Sequence, residues 1–127
     1  MGYVYKIVVT GDRHYRLTDI DKIWAGIRMI AKTIFGGQKY RLAFGDAKGV
    51  DAFALEFAKK NNIKYKCYKA YWKKYGLAAG PRRNIRMIDK EKPDVVLGFH
   101  SNYDKSKGTK QCLNYSKKKG AFTILVM

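Results

Sequence analysis

The sequence predicts an α/β fold: three layers, α/β/α, around a mainly parallel five-stranded sheet. Two observations predict it. Short runs rich in β-branched and aromatic residues alternate with longer stretches of helical apolar spacing, in the order βαβαβαβαβ. Every polar, glycine-bearing segment except the helix-ending Gly36-Gly37 and Gly120 follows a strand, which is where open α/β sheets carry their ligand loops. Right-handed crossovers then leave helices on both faces of the sheet.

The first strand is expected over residues 5–10, "YKIVVT". A helix is expected over 18–35, where Ile20, Ile23, Trp24, Ile27, Ile30 and Ala31 recur at helical spacing. Further strands are expected over 41–44, 64–68, 95–99 and 122–126, and further helices over 50–61, 81–90 and 107–119. "EKPD", residues 91–94, is a helix-to-strand turn. Pro81 is read at the first helical position, where its preset φ suits the helix and its missing N–H costs nothing.

A chain of 127 residues with 46% hydrophobic content suits one domain, spanning 1–127, with a real core. Its 27 basic and 10 acidic residues leave +17, which favours phosphate-bearing partners; the alternative is a lysine surface that only maintains solubility. Cys67 and Cys112 are expected to be free thiols in a reducing compartment, and with His14 and His100 they form no metal-like spacing, so no metal or other cofactor is expected. The N-terminus runs directly into a strand pattern, without the regions of a secretory leader, and no apolar run reaches the roughly 20 residues of a membrane span. Gly2 lacks the downstream serine or threonine of a myristoylation signal, since Lys6 stands there. A cytoplasmic location and no membrane partner are expected.

The segments after the strands are "TGDRHYR" (10–16), "GDAKGVD" (45–51), a long stretch ending in "AAGPRRN" (78–84), and "HSNYDKSKGT" (100–109). Arg82, Arg83 and Arg86 gather at the start of a helix whose dipole is already positive there, an arrangement that asks for an anion. A phosphate at this sheet edge would meet several helix starts together with Arg13, Lys48, Arg82, Arg83 and Lys107. Two familiar phosphate loops are excluded: no G-x-G-x-x-G follows the first strand, and "GDAKGVD" lacks G-K-[ST].

In this order, "TGDRHY" (10–15), "FGDAKGVDAFA" (44–54), "AAGPRRNIRM" (78–87), and "GFH" with "SKGTKQ" (98–100 and 106–111) resemble the YspA-type branch (DUF2493) of the SLOG superfamily. That branch is related to the Lonely Guy cytokinin-activating proteins and to the Rossmann-like core of the DNA-processing protein DprA. The resemblance covers residues 6–126. It implies a Rossmann-like fold, a nucleotide or nucleotide-derived ligand and a tendency to form dimers or larger assemblies. In some relatives it implies hydrolysis of the N-glycosidic bond of nucleoside monophosphates. Carried over by position, it implies ligand or phosphate contacts from Gly11 and Arg13; from Gly45, Ala47, Lys48, Gly49 and Asp51; from Gly80, Pro81, Arg83 and Asn84; and from Gly108 and Thr109.

Several positions depart from the family pattern. Lys48 stands where arginine is usual, and Asp46 replaces a second glycine, adding bulk and negative charge. Of the usual P-G-G-x-G-T turn only Gly108-Thr109 remains, and the glutamate of the hydrolase pattern G-T-x-x-E is replaced by Cys112. Cleaving an N-glycosidic bond needs a carboxylate to stabilise positive charge or activate water. Asp12, Asp46, Asp51 and Asp104 are available. Asp51 is read as capping or orienting the second helix start and Asp12 as beginning a turn, so Asp46 is the catalytic candidate. A pKa of Cys112 lowered by the helix end and nearby lysines is also considered.

Arg83 and Asn84 are expected to touch ligand, with Arg83 exposed in the cleft, so that its loss costs affinity and not stability. Arg86 either shares that face or is solvated. Tyr71, Trp72 and Tyr75 either stack a base or cover a core edge. His14 and His100 are read as polar loop residues. The leading function is binding of a nucleotide or nucleotide-derived ligand, to sense, carry or sequester it. The alternatives are a nucleoside-phosphate N-glycosidase, and DprA-like nucleic-acid binding favoured by +17 and the basic runs "KYKCYKAYWKK" and "SKKKG".

Overall fold

The structure is a computed structural model that describes residues 3–102 and 105–127. Five strands, β1 (Tyr5–Gly11), β2 (Tyr40–Gly45), β3 (Tyr65–Tyr68), β4 (Val95–Phe99) and β5 (Phe122–Val126), form one sheet in the order β3-β2-β1-β4-β5, with every neighbouring pair parallel. Helices α1 (Ile20–Met29), α2 (Val50–Lys60), α4 (Ala79–Glu91) and α5 (Lys107–Lys118) form the crossovers, and a single turn, α3 (Trp72–Tyr75), precedes α4. This is a three-layer, Rossmann-like α/β arrangement. Among the described residues no helix is long and apolar enough to cross a membrane.

The alternation of each central strand builds two cores. Ile7 and Val9, Leu42 and Phe44, and Val95, Leu97 and Phe99 face α1 and α2, against Ile23, Ile27, Ala54 and Phe57. Val8, Ala43 and Val96 face α4 and α5, against Met87, Ile88, Cys112 and Leu113. Buried on both faces, β1 and β4 read as continuous apolar runs, as parallel strands do.

Element boundaries shift where packing overrides local signals. α4 starts at Ala79, so Pro81 is its third residue rather than its first. The first helix is not uniform: a 3₁₀ turn, Leu17–Asp19, precedes α1, and a π turn, Ile30–Ile34, follows it. There the Phe35 N–H reaches the Ile30 carbonyl at 3.1 Å, and the wider turn lets Ile30 and Phe35 both enter the core. At the far end of α4, buried Glu91 accepts from Arg41 at 2.8 Å and from the Tyr68 hydroxyl, tying α4 to β2 and β3.

The strand order reverses at β1. The chain crosses from β1 out to β3, then returns to place β4 on the other side of β1, with Gly11 opposite Phe99. Crossovers on opposite faces diverge there and open a crevice at the carboxyl ends of β1 and β4.

Candidate functional site

At that crevice the structure forms a cleft of about 730 Å³, within the range of small-molecule sites. It is lined by the ends of β1, β2 and β4 and by the starts of α4 and α5. Of the residues singled out in the sequence, Gly11, Arg13, Asp46, Ala47, Lys48, Asp51, Gly80, Pro81, Arg83, Asn84, Gly108 and Thr109 line it. Gly45 and Gly49 lie beneath the lining. Asp104, one of the four candidate carboxylates, lies outside the described residues, as does Gly2.

Gly49 holds the loops together. Its φ is +69°, and a Cβ there would collide with the Asp12 carbonyl and the Arg13 backbone. The same approach lets the Val50 N–H donate to the Asp12 carbonyl at 3.2 Å, so the first amide of α2 serves the first loop. Gly45 is needed because the Arg83 guanidinium lies against it. Gly108 has no such reason: among the described residues a Cβ there would meet nothing within 4 Å, although it stands in the first turn of α5, where glycine is unfavourable.

Arg83 differs from expectation. It is buried, at 8% exposure, and donates from Nη1 to Asp46 Oδ1 at 3.0 Å and to the Tyr68 carbonyl at 3.4 Å, and from Nε to Asn84 Oδ1 at 2.9 Å. Asn84 in turn donates to Gln111 of α5 at 3.1 Å. Asp46, which had no structural explanation in the sequence, has one: it pairs with Arg83 and accepts the Ala70 N–H at 3.3 Å. Asp51 does not cap its own helix, whose N-cap is Gly49; it accepts the Ala47 N–H at 3.2 Å and so orients the preceding loop. Burial pushes the Asp51 carboxyl up to about 6, against the pull of Arg83.

The other arginines separate. The Arg82 guanidinium lies 4.5 Å from the centre of the Tyr75 ring and does not line the cleft. Arg86 lies 5.0 Å from the centre of the Tyr71 ring and donates to the Lys69 carbonyl. Tyr71 and Trp72 are not core cover, being 54% and 48% exposed. Cys112 is buried, and burial pushes its thiol up to about 11, the reverse of an activated thiolate. Both cysteines are free.

The histidines are loop residues, as the sequence suggests, and they border the site. His14 and His100 both line the cleft. His100 Nε2 lies 3.8 Å from Asp12 Oδ2, while its Nδ1 accepts the Asn102 N–H at 3.0 Å; Asp12 Oδ1 accepts the His14 N–H at 2.7 Å. Trp72, read from the sequence as a base-stacking or core-edge residue, lines the cleft, as do Thr10, Leu77, Lys105 and Ser106, which the sequence does not mark as site residues. The signal for them was position after a strand, which lone polar or apolar residues do not advertise. Among the described residues no three of His, Cys, Asp and Glu converge as a metal site requires.

No family model matches the chain, and no curated protein matches it.

Proposed function

We propose that this protein binds a nucleotide or nucleotide-derived ligand at the carboxyl ends of its strands, to sense, carry or sequester it. The observation that carries this reading is the first turn of α5 at the topological switch point. The N–H groups of Lys107, Gly108 and Thr109 have no intrahelical acceptor, these residues line the cleft, and among the described residues nothing demands the glycine. A phosphate oxygen approaching the backbone at Gly108 supplies the missing reason. Arg13, Lys48 and Lys107 border the cleft, are exposed, and make no ion pair among the described residues, so their charge is available to that phosphate.

Binding is favoured over turnover because two of the three described cleft carboxylates are engaged. Asp46 is held by Arg83, and Asp51 is buried against its own loop. The N-glycosidase reading keeps one supporting observation, the contact of Asp12 with His100 in the cleft, and it moves the carboxylate of interest from Asp46 to Asp12.

Calorimetric titration with nucleoside mono- and diphosphates tests the proposal. Saturable binding is expected, weakened about tenfold in Lys48→Ala or Lys107→Ala, on the scale of one hydrogen bond to a charged group. Absence of binding across the panel would overturn it. Release of free base or ribose phosphate by the wild type, abolished in Asp12→Asn with binding retained, would establish the enzyme instead.

A further inference from the structure

The lining of the cleft is chemically lopsided. Among the described residues that line it, nearly every side chain is charged, polar or absent, and only Trp72 and Leu77 are large and apolar. Both come from the short segment that joins β3 to α4, and both are exposed, at 48% and 94%. A tryptophan left half in water beside a charged cleft is an unspent contact surface.

The three aromatic residues of this segment are not equivalent. The Tyr71 ring carries the Arg86 guanidinium, and the Tyr75 ring carries Arg82 and, at 5.1 Å, Lys74. Among the described residues no cation and no other ring lies against Trp72. The edge of its indole, at Cη2, would stand 3.5 Å from a Cβ built at Gly80, so the ring lies beside the start of α4. The segment is also anchored. The Ala70 N–H donates to Asp46, and the Lys69 carbonyl accepts from Arg86, so the chain entering Trp72 is fixed by the two residues on either side of Arg83's network. Asp46 thereby acts as a positioning residue, linking the Arg83 side of the cleft to the aromatic side.

We propose that Trp72 is the stacking platform for the base of the ligand, so that the cleft takes a whole nucleotide, with its phosphate toward Arg13, Lys48 and Gly108 and its planar base against the indole. This rests on the nucleotide reading above and goes beyond it: a sugar phosphate or inorganic phosphate would leave Trp72 unused. Stacking suits any base because every base has a π face, and it is sequence-tolerant for that reason. Selection for one base would have to come from polar groups at the ring edge.

The chain contains two tryptophans, which makes the test direct. Trp24 is half-buried on the opposite face of the sheet, donates from Nε1 to the Phe53 carbonyl at 3.0 Å, and has Arg28 and Lys60 over its ring. In a Trp24→Phe protein the emission therefore reports Trp72 alone. Titration with AMP, GMP, CMP and UMP is expected to quench that emission saturably, and ribose 5-phosphate is expected to leave it unchanged. By calorimetry, Trp72→Ala should weaken the nucleoside monophosphates by roughly five- to a hundredfold. It should leave the weaker affinity for ribose 5-phosphate as it was, with Trp72→Phe intermediate and the melting temperature unchanged. Equal nucleotide affinity in wild type and Trp72→Ala, or ribose 5-phosphate binding as tightly as the nucleotides, would overturn the role of Trp72 and leave a phosphate-binding cleft standing. If neither nucleotides nor ribose 5-phosphate bind, both readings fall together.

Discussion

Arg83 Nη1 and Asp46 Oδ1 lie 3.0 Å apart across the gap between the start of α4 and the end of β2, so the arginine that the sequence offers as the phosphate ligand is already paired within the chain. Removing it leaves Asp46 and the buried Asp51 without their shared counter-charge. Arg83→Ala is therefore expected to cost stability as well as affinity, on the order of 1.5–3 kcal/mol for lost hydrogen bonds to a charged group in a part-buried pair. Asp46→Asn, at the more exposed end, should cost less. Urea denaturation of the two variants and of the double mutant measures the coupling; an Arg83→Ala protein as stable as wild type would contradict the observed network.

Asp51 makes stability fall with rising pH. Burial raises its folded-state pKa from the ordinary 3.8 to about 6, so between those values the folded chain holds a proton that the unfolded chain has released. Its contribution is complete below the unfolded pKa and is lost as pH rises through about 6. Wild type should lose on the order of 2–3 kcal/mol relative to Asp51→Asn across this window, at about 1.4 kcal/mol per pKa unit. A stability difference that stays flat from pH 4 to 7 would refute the shift.

Two glycines of the loops around the cleft should respond in opposite ways to the same substitution. Gly49→Ala forces a Cβ onto the Asp12 carbonyl at positive φ, and is expected to lose more than about 2 kcal/mol of stability. Gly108→Ala meets no atom of the described residues and should raise stability by about 0.5–1 kcal/mol through helix propensity. Nucleotide affinity should nevertheless fall in Gly108→Ala. Thermal melts paired with calorimetry separate the two effects, and unchanged affinity would remove Gly108 from the site.

Thiol labelling should divide the cysteines. Cys67, exposed on edge strand β3, reacts in the native protein, slowed because burial and Asp46 raise its pKa; Cys112 reacts only after unfolding. One equivalent per chain is expected natively and two in denaturant. Rapid native labelling of both would place Cys112 in reach of the cleft.

The charge of +17 predicts weak, length-dependent binding of single-stranded DNA at low salt, from counterion release. It should vanish near physiological salt in an electrophoretic shift assay. Submicromolar binding at that salt would instead promote the nucleic-acid reading.

The fold was legible because its signals are local. The apolar runs around Ile7–Val9 and Val95–Phe99, the 3.6-residue spacing through Ile23 and Ile27, and the glycine-bearing segments after the strands each report on neighbours in the chain, and the observed sheet follows them closely. The convergence of those segments at one edge was legible too, because parallel crossovers leave it no other place. What only the tertiary structure decided are partnerships between distant residues. Arg83 was read as free because its partner lies 37 positions earlier on another loop. Asp46 stands as the catalytic candidate in the sequence for the same reason, and a lowered Cys112 pKa is considered there because nothing in its neighbours reveals that α5 turns it into the core. His100 acquired Asp12, Tyr71 and Tyr75 acquired arginines, and Trp72 was left exposed at the cleft. Helix and strand propensities act over a few residues, whereas burial and ion pairing depend on which surfaces meet, and those surfaces are created by folding.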